Sequence, residues 1–338
     1  MNKFLQSCVN GRTLKTGEAE KLMEMMMNGA MSQSEIGGIL SVLAHRGETA
    51  EELAGFVKVM RARAQTAGGL ADVVDTCGTG GDGISTFNIS TAAAITASAA
   101  GAKVAKHGNR SVSSKSGSAD VLEKLGVSIQ ATPESVKRSI EMKQMGFLFA
   151  PLFHSSMKHV AAARKELGFR TVFNLLGPLS NPLQVKRQVI GVYSFDKARL
   201  MASALEQFDV RHVMLVSARD GLDELSITAP TDIIELKNGE RLEYSVSPEQ
   251  FGFAEGSLKD IQVSSSEESA LLIQNIFANR APSSALHITA LNAGAAIYTA
   301  GLANHLKEGT KTALEAIQNG DAKRQLERLK QKEEEMYA

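Results

Sequence analysis

The sequence lacks most features of a secreted, zinc-binding or membrane-spanning protein. Its 338 residues include only two cysteines, Cys8 and Cys77, so it has neither a disulfide framework nor zinc-ligand spacing. No run of about 18 apolar residues is present, and the N-terminus has no long apolar core of the kind found in signal peptides. We therefore expect a cytoplasmic protein.

The chain also lacks net charge, because 37 basic residues balance 37 acidic ones. This balance argues against a broad surface for nucleic acid or membrane. The hydrophobic fraction of 43% is ordinary for a folded domain, and the length suffices for one large or two moderate domains.

One long stretch has no acidic residue. Between Ile84 and Ala119 there is no Asp or Glu, and a glycine-rich segment, residues 78–83, comes just before it. The basic residues of this stretch are Lys103, Lys106, Arg110 and Lys115. Glycines let a backbone approach a ligand closely, and hydroxyls, peptide N–H groups and cations suit phosphate oxygens. The sequence therefore predicts a phosphate-binding surface over residues 75–118.

The first part of the chain has the pattern of short amphipathic helices. Capping boxes occur at Ser32 with Glu35 and at Thr49 with Glu52, each followed by apolar residues at helical spacing. We expect Thr16 to cap the helix that precedes them. These signals predict a small all-helical domain over residues 1–66.

From residue 70 onward, apolar runs alternate with helical segments, which is typical of a mostly parallel sheet. We expect a short strand at Val104 and Ala105, a helix after Thr132 that Gly146 ends, and a hairpin over residues 233–246. Residues 286–300 predict a closely packed helix, and residues 323–335 a charged, solvated one. The fold class is α/β: the helical domain plus a larger α/β domain, residues 70–338, with a mostly parallel central sheet flanked by helices.

The glycine-rich segment formally matches the pattern G-x-G-x-x-G after a strand. A dinucleotide-binding fold also needs an acidic residue about 20 positions later, where this chain has Lys103 and Lys106. That reading therefore fails. A plain tight turn remains the alternative to a phosphate-binding loop.

Two further motifs allow both a structural and a functional interpretation. Ser90 and Thr91 can cap the following helix, or their hydroxyls can serve a phosphate or a metal. Lys106 to Arg110 follow the expected short strand, where open α/β sheets bind ligands. His107 alone would more often be structural, but beside these neighbours it is a candidate ligand contact.

Three later segments are also ambiguous. Residues 220–224 hold three acidic side chains that can cap an element or, with a phosphate-rich ligand, bind Mg²⁺. Residues 164–166 can form a solvent-facing helix end. Residues 177–182 predict a rigid turn, which can also act as a wall or hinge of a site.

Together these segments resemble the anthranilate phosphoribosyltransferase family of tryptophan biosynthesis, over essentially the whole chain. The segments that carry the resemblance are residues 78–82, 88–91, 106–110, 117–120, 164–171, 174–179 and 220–224. The resemblance implies that anthranilate and 5-phosphoribosyl 1-diphosphate, with Mg²⁺, give N-(5-phosphoribosyl)anthranilate and diphosphate. It also implies a homodimer through the helical domains, each completed by a returning segment near residues 164–182.

The resemblance also implies the site residues. The phosphoribosyl donor would be held by Gly78, Gly81, Asp82, Thr86, Asn88, Ile89, Ser90, Thr91, Lys106, His107, Gly108, Asn109, Arg110, Ser111, Val112, Ser113, Ser114 and Ser118. Anthranilate would contact Gly78, Asn109 and Arg164, whose guanidinium suits a carboxylate. The metal would bind to Ser90, Asp223 and Glu224. No general acid or base is assigned, because the amine of anthranilate is already neutral.

The chain departs from the family pattern at Ser217, Ala218 and Arg219, where many relatives carry a His-Gly pair. We expect the activity to survive, since the acidic motif that follows is intact. The rival functions are a pyrimidine-nucleoside phosphorylase of the same architecture and a nucleic-acid-binding homologue. The intact 106–110 motif argues against the first, and zero net charge against the second.

Overall fold

A computed structural model describes residues 3–66, 68, 70–111 and 116–331. The α-helices are α1 Lys3–Val9, α2 Thr16–Met27, α3 Gln33–Arg46, α4 Ala50–Arg63, α5 Ile89–Ala99, α6 Ser118–Lys124, α7 Pro133–Lys143, α8 Ala150–Phe153, α9 Lys158–Leu167, α10 Val172–Leu179, α11 Phe195–Leu205, α12 Ser266–Phe277, α13 Ser283–Ala300, α14 Leu306–Gln318 and α15 Asp321–Lys330. The strands are β1 Val73–Asp75, β2 Lys103–Gly108, β3 Met145–Phe149, β4 Arg187–Gly191, β5 His212–Ala218, β6 Thr231–Lys237 and β7 Glu240–Val246.

Within the described residues the strands form one sheet in the order β3-β2-β1-β4-β5-β6-β7. The pairs from β3 to β5 are parallel, so β1 to β5 end at the same edge. The β6 and β7 strands join antiparallel, and Asn238 and Gly239 make the turn between them in left-handed conformations. The predicted hairpin and mostly parallel sheet are confirmed.

Helices cover both faces of the sheet and build two large hydrophobic cores. On one face, α5, α6 and α12 to α15 pack in a core that includes Val104, Met214 and Leu291. On the other, the core runs from α1 to α4 through α9, α10 and α11 to residues of β4, β5 and β6 such as Ile190 and Leu215. The N-terminal helices therefore share one core with the sheet.

The helices α9 and α10 return to the N-terminal helices. The side chain of Gln33, at the start of α3, accepts a hydrogen bond from the Ala163 N–H at 3.0 Å and donates one to the His159 carbonyl at 2.9 Å. The guanidinium of Arg61 in α4 donates to the carbonyl of Leu179 at 2.7 Å. These bonds join elements far apart in the sequence.

The capping signals correctly predicted where α3 and α4 begin. Both predicted capping boxes are present, with Ser32 accepting from the Glu35 N–H and Thr49 from the Glu52 N–H. The prediction for Thr16 is wrong, because Thr16 is the first residue of α2 and Lys15 is its N-cap. None of the helices in the described part of the chain is both long and apolar enough to cross a membrane.

Two boundaries of the α/β part differ from expectation. The β2 strand runs from Lys103 to Gly108, so Lys106 lies inside the strand and not after it. Helix α7 ends at Lys143, and Gly146 belongs to β3. A Cβ at Gly146 would lie 2.8 Å from the Val136 side chain, so this glycine serves close packing of the helix on the strand.

The predictions for two further segments are wrong. The expected rigid turn begins inside α10, which contains Pro178 and ends at Leu179. The last helix is α15, whose Ala322, Leu326 and Leu329 are buried, so it is not simply solvated. Residues 332–335 of that predicted helix lie outside the described residues.

Candidate active site

The glycine-rich segment forms a loop directly after β1, and we call residues 78–83 the glycine loop. Gly80, Gly81 and Gly83 have φ of +63°, +81° and +80°, values that favour glycine. A Cβ at Gly78 would lie 3.0 Å from the Asp223 carboxylate and 3.1 Å from the Gly191 carbonyl. The glycines thus let the loop lie against Gly191, the last residue of β4, and Asp223, which follows β5.

Two hydrogen bonds fix the loop against these strands. The Thr79 N–H donates to the Gly191 carbonyl at 2.8 Å, and the Gly80 N–H donates to Asp223 Oδ2 at 2.7 Å. The loop is therefore an ordered element that presents its backbone at the carboxyl edge of the sheet.

Lys106 lies below the loop with 1% of its surface exposed. Its ammonium group donates to Ser90 Oγ at 3.0 Å, to the Thr76 carbonyl at 3.2 Å and to Thr76 Oγ1 at 3.3 Å. Burial lowers the pKa of Lys106, although the nearby carboxylates of Asp75 and Glu224 oppose that shift. A buried cation is thus held beneath the loop by three protein oxygens.

Asn88, and neither Ser90 nor Thr91, caps α5. Its Oδ1 accepts from the Thr91 N–H at 3.0 Å, and its amide donates to the Ser116 carbonyl at 2.8 Å. The capping interpretation of Ser90 is therefore wrong. Because Asn88 takes that role, the Ser90 hydroxyl can accept from Lys106.

Asp75 and His107 form a buried polar layer beneath this site. Asp75 accepts from the His107 N–H at 3.0 Å and from Asn181 Nδ2 at 2.8 Å. Burial raises the pKa of Asp75 to about 6, against the opposing effects of Asn181 and Lys106. Burial, with His154 beside it, lowers the pKa of His107 to about 3, so its ring is neutral.

The carboxylates of Asp223 and Glu224 lie beside the loop, near enough to Asp82 of the loop to feel its charge. Burial raises the pKa of Asp223 to about 7, and the charge of Asp82 adds to the effect. Burial also raises the pKa of Glu224, and Asp223 contributes further. Carboxylates that disfavour one another's charge suit a divalent cation.

The described residues contain no group of three or more His, Cys, Asp or Glu side chains arranged to hold a metal. Asp223, Glu224 and the Ser90 hydroxyl supply two carboxylates and one neutral oxygen. Mg²⁺ commonly takes one or two carboxylates and completes its shell with water and substrate phosphates. The donor set therefore fits Mg²⁺ bound together with a phosphate ligand.

The segment after β2 folds back on α6. Asn109 accepts through its carbonyl from the Ser118 hydroxyl at 3.3 Å, and a Cβ at Gly108 would lie 2.2 Å from that hydroxyl. The exposed Arg110 is paired with Asp120 at 2.7 Å and Glu123 at 2.6 Å. The candidates Val112, Ser113 and Ser114 lie outside the described residues.

Arg164 lies in the last turn of α9. Its guanidinium carbon is 4.9 Å from the centre of the Phe173 ring, and burial lowers its pKa. Within the described residues no carboxylate forms an ion pair with Arg164. A partly buried cation without a carboxylate partner is suited to an anionic ligand.

The other predicted donor-binding residues differ in whether they contact one another. Ile89 begins α5 beside Ser90, Thr86 pairs with Gln262 in an isolated bridge, and the Ser111 N–H donates to Asp120 at 2.9 Å. Direct contacts join the glycine loop to Asp223, Lys106 to Ser90, and Asn109 to Ser118. The contacts above do not connect Arg110 or Arg164 to the glycine loop.

Sequence reasoning gave no role to three residues that the fold brings to the site. Asn181 bonds to Asp75, and the His154 ring lies 5.3 Å from the His107 ring. Arg170 donates to the Gly81 carbonyl. Their partners are distant in the sequence. The one available signal was that Arg170 and Asn181 lie within or next to segments already recognised as motifs.

The departure from the family pattern lies at the end of β5. Arg219 pairs with Asp232 at 2.8 Å on the surface, while Asp220 accepts from the Ser226 hydroxyl at 2.6 Å. The described contacts of Arg219 therefore point to β6 and not to the glycine loop.

Comparisons with known proteins agree along the chain. A model described as the helical bundle domain of a glycosyl transferase family matches residues 2–64, and one described as the a/b domain matches residues 70–323. An anthranilate phosphoribosyltransferase of Bacillus velezensis is 99% identical over the full length of both chains.

Solved structures agree as well. The anthranilate phosphoribosyltransferase of Thermus thermophilus is 40% identical, with a TM-score of 0.89 over 96% of this chain and 97% of that one. The Saccharomyces cerevisiae enzyme in complex with PRPP and Mg is 26% identical, with a TM-score of 0.86 over 96% and 95%.

Proposed function

The chain belongs to the anthranilate phosphoribosyltransferases of the glycosyl transferase family, and we propose how its site serves their reaction. The protein transfers the 5-phosphoribosyl group of 5-phosphoribosyl 1-diphosphate to the amine of anthranilate in tryptophan biosynthesis. The products are N-(5-phosphoribosyl)anthranilate and diphosphate. The observation that carries the site assignment is the convergence of the glycine loop, Lys106 and the Asp223–Glu224 pair at one edge of the sheet.

In this proposal the donor lies over the glycine loop. Backbone N–H groups, the Ser90 and Thr91 hydroxyls and the N-terminus of α5 suit its phosphate oxygens, and Lys106 adds a fixed positive charge below them. The segment from Lys106 to Ser114 and Ser118 completes the donor site.

Mg²⁺ is proposed to bind to Ser90, Asp223 and Glu224 together with the donor. When bound, it supplies positive charge that stabilises the departing diphosphate. The yeast relative in complex with PRPP and Mg supports the proposal that Mg²⁺ binds with the donor.

Anthranilate is proposed to meet Arg164 through its carboxylate and to contact Gly78 and Asn109. Its neutral amine attacks the ribose carbon as diphosphate leaves, so positive charge builds on the sugar. The protein's contribution is to hold donor and acceptor in line and to stabilise charge on the leaving group. No side chain is assigned as general acid or base.

Release of diphosphate tests the function directly. The protein is incubated with 5-phosphoribosyl 1-diphosphate and Mg²⁺, with and without anthranilate, and anthranilate fluorescence is followed in the same samples. We expect release that depends on anthranilate and matches the loss of fluorescence. Release without that dependence, or phosphorolysis of uridine or thymidine instead, would contradict the assignment.

We also propose a cytoplasmic homodimer that associates through the helical domains. Each helical domain would comprise residues 1–66 and the segment near residues 164–182, and residues 70–338 would otherwise form the α/β domain. A mass in light scattering near twice 36.1 kDa supports the dimer, and a mass near 36.1 kDa excludes it.

A further inference from the structure

Arg170 lies between α9 and α10, on the side of the N-terminal helices. Gly168 closes α9 in a left-handed conformation with φ of +67°, and the Thr171 N–H at the start of α10 donates to Asn174 at 3.0 Å. The backbone on both sides of Arg170 is thus held by helix ends.

That side chain crosses to the glycine loop. The guanidinium donates a hydrogen bond to the Gly81 carbonyl oxygen, and its central carbon lies 4.3 Å from the centre of the Tyr193 ring. The Tyr193 N–H donates in turn to Thr79 Oγ1 at 3.3 Å. Arg170 therefore reaches the loop directly at Gly81 and through Tyr193 at Thr79.

The bond to Gly81 adds a third anchor to a loop that already bonds to Gly191 and Asp223. Gly80, Gly81 and Gly83 have little intrinsic conformational preference, so the loop needs external contacts to keep one shape. The Gly81 carbonyl and the Asp82 N–H belong to one planar peptide group, and a bond to the carbonyl fixes the direction of the N–H. Burial raises the pKa of Asp82 and Asp223, and the positive charge of the Arg170 guanidinium opposes that rise.

Arg170 is exposed, so its loss should not unfold the protein. Surface interactions of charged side chains contribute little to stability. An effect on turnover would then reflect the loop and not the core.

We propose that Arg170 is a positioning residue: by holding the Gly81 peptide it keeps the glycine loop in the shape that receives the phosphoribosyl donor. The inference rests on the assignment of the glycine loop to the donor. It also gives the α9–α10 segment two roles, since α9 carries Arg164 for the acceptor and Arg170 reaches the donor loop.

The test compares Arg170→Gln and Arg170→Lys with the unchanged protein in steady-state kinetics. For Arg170→Gln we expect the KM for the donor to rise roughly 10- to 100-fold and the KM for anthranilate to change less than about twofold, as fits the loss of one charge-assisted hydrogen bond. Arg170→Lys keeps the charge without the fork, so its donor KM should lie in between. Arg324→Gln, at an exposed ion pair of α15, is the matched control and should leave both values unchanged.

Amide hydrogen exchange of the free protein tests whether Arg170 holds the glycine loop, separately from whether that loop binds the donor. Peptides covering residues 76–84 report on the hydrogen-bonded N–H groups of Thr79 and Gly80, and we expect faster exchange in Arg170→Gln. Unchanged exchange, or an equal rise of both KM values, overturns the role of Arg170. Faster exchange with an unchanged donor KM overturns the donor assignment of the loop, and the inference with it.

Discussion

The ammonium group of Lys106 lies 3.0 Å from the hydroxyl oxygen of Ser90, in the interior below the glycine loop. Burying a charge costs several kcal/mol unless the surroundings compensate it. Here three oxygen acceptors from Thr76 and Ser90 do so, with the carboxylates of Asp75 and Glu224 nearby. Such a costly arrangement, at the edge of the sheet where ligands bind, is typical of a functional site.

Replacing Lys106 tests this interpretation. Lys106→Met keeps the side-chain length and removes the charge, so we expect kcat/KM for the donor to fall by about 100-fold or more. We also expect a lower free energy of unfolding, because Thr76 and Ser90 lose their buried partner, so the kinetics are measured at a temperature where thermal unfolding shows the variant folded. Lys103→Met is the matched control, because Lys103 is exposed on the same strand and should tolerate the change. Equal kinetics of the two variants would exclude Lys106 from the donor site.

Asp223→Asn separates metal binding from loop packing. An asparagine can still accept a hydrogen bond from the Gly80 N–H through its carbonyl oxygen, but it lacks the negative charge. We expect the Mg²⁺ concentration for half-maximal activity to rise roughly 10-fold or more, since even outer-shell changes have effects of that size. Asp209→Asn, at an exposed ion pair, is the control. An unchanged Mg²⁺ dependence would remove Asp223 from the metal site.

Arg164→Ala should act on the acceptor. The guanidinium packs over Phe173 without a carboxylate partner among the described residues, and it suits the carboxylate of anthranilate. We expect the KM for anthranilate to rise roughly 10- to 100-fold, and the KM for the donor far less. Its exposed neighbour allows the control Lys165→Ala. Equal increases in both KM values would count against the assignment.

Glu235 should make stability depend on pH, far from the active site. Burial alone would raise the pKa of Glu235, but hydrogen bonds from His212, Tyr298 and Tyr244 outweigh it and hold that pKa at about 2. An unfolded glutamate titrates near pH 4.3, so the unfolded chain binds more protons between these values. The stabilisation is complete above about pH 5 and is lost as the pH falls towards 2.

Urea unfolding across this pH range checks the prediction. Glu235→Gln should lower the free energy of unfolding by about 2 kcal/mol at pH 7, and the difference from the unchanged protein should shrink as the pH falls. Glu255→Gln, at an exposed position, should follow the unchanged protein. A difference that stays constant from pH 7 to about pH 2 would mean that Glu235 has an ordinary pKa.

Gly294→Ala should destabilise the contact between α13 and α14. A Cβ at Gly294 would lie 2.4 Å from the Thr310 backbone, and a Cβ at Gly309 would lie 2.3 Å from the Gly294 carbonyl oxygen. Neither backbone can move easily inside the core, so we expect a loss of about 1–3 kcal/mol in urea unfolding. Gly37→Ala is the control, because a Cβ there meets nothing within 4 Å and should raise helix stability by about 0.5–1 kcal/mol. If both variants lost stability equally, close packing would not be the cause.

Signals that act over a few residues predicted their structures well. The capping boxes of α3 and α4 and the turn at Asn238 and Gly239 need only neighbouring residues, and the sequence placed them correctly. The glycine loop was also found, because its glycines and the missing acids are visible in one segment. The close packing expected of α13 is likewise confirmed.

Predictions that depended on distant partners failed. The predicted strand covered only Val104 and Ala105, yet β2 continues through Lys106 and His107 because Thr76, Ser90 and Asp75 accept their hydrogen bonds. The cap of α5 was misplaced for a similar reason. Residues 88, 90 and 91 are all capping types, and the N–H of Asn88 is held by Ser269, far along the chain.

The return of α9 and α10 to the N-terminal helices has a consequence for synthesis. Gln33 and Arg61 find their partners only near residues 159–163 and at Leu179, so the first four helices leave the ribosome without their covering elements. At about 5–20 residues per second, the nascent chain waits roughly 10 s with that apolar surface open to solvent. During this interval a holding chaperone can bind the exposed apolar surface of the first four helices.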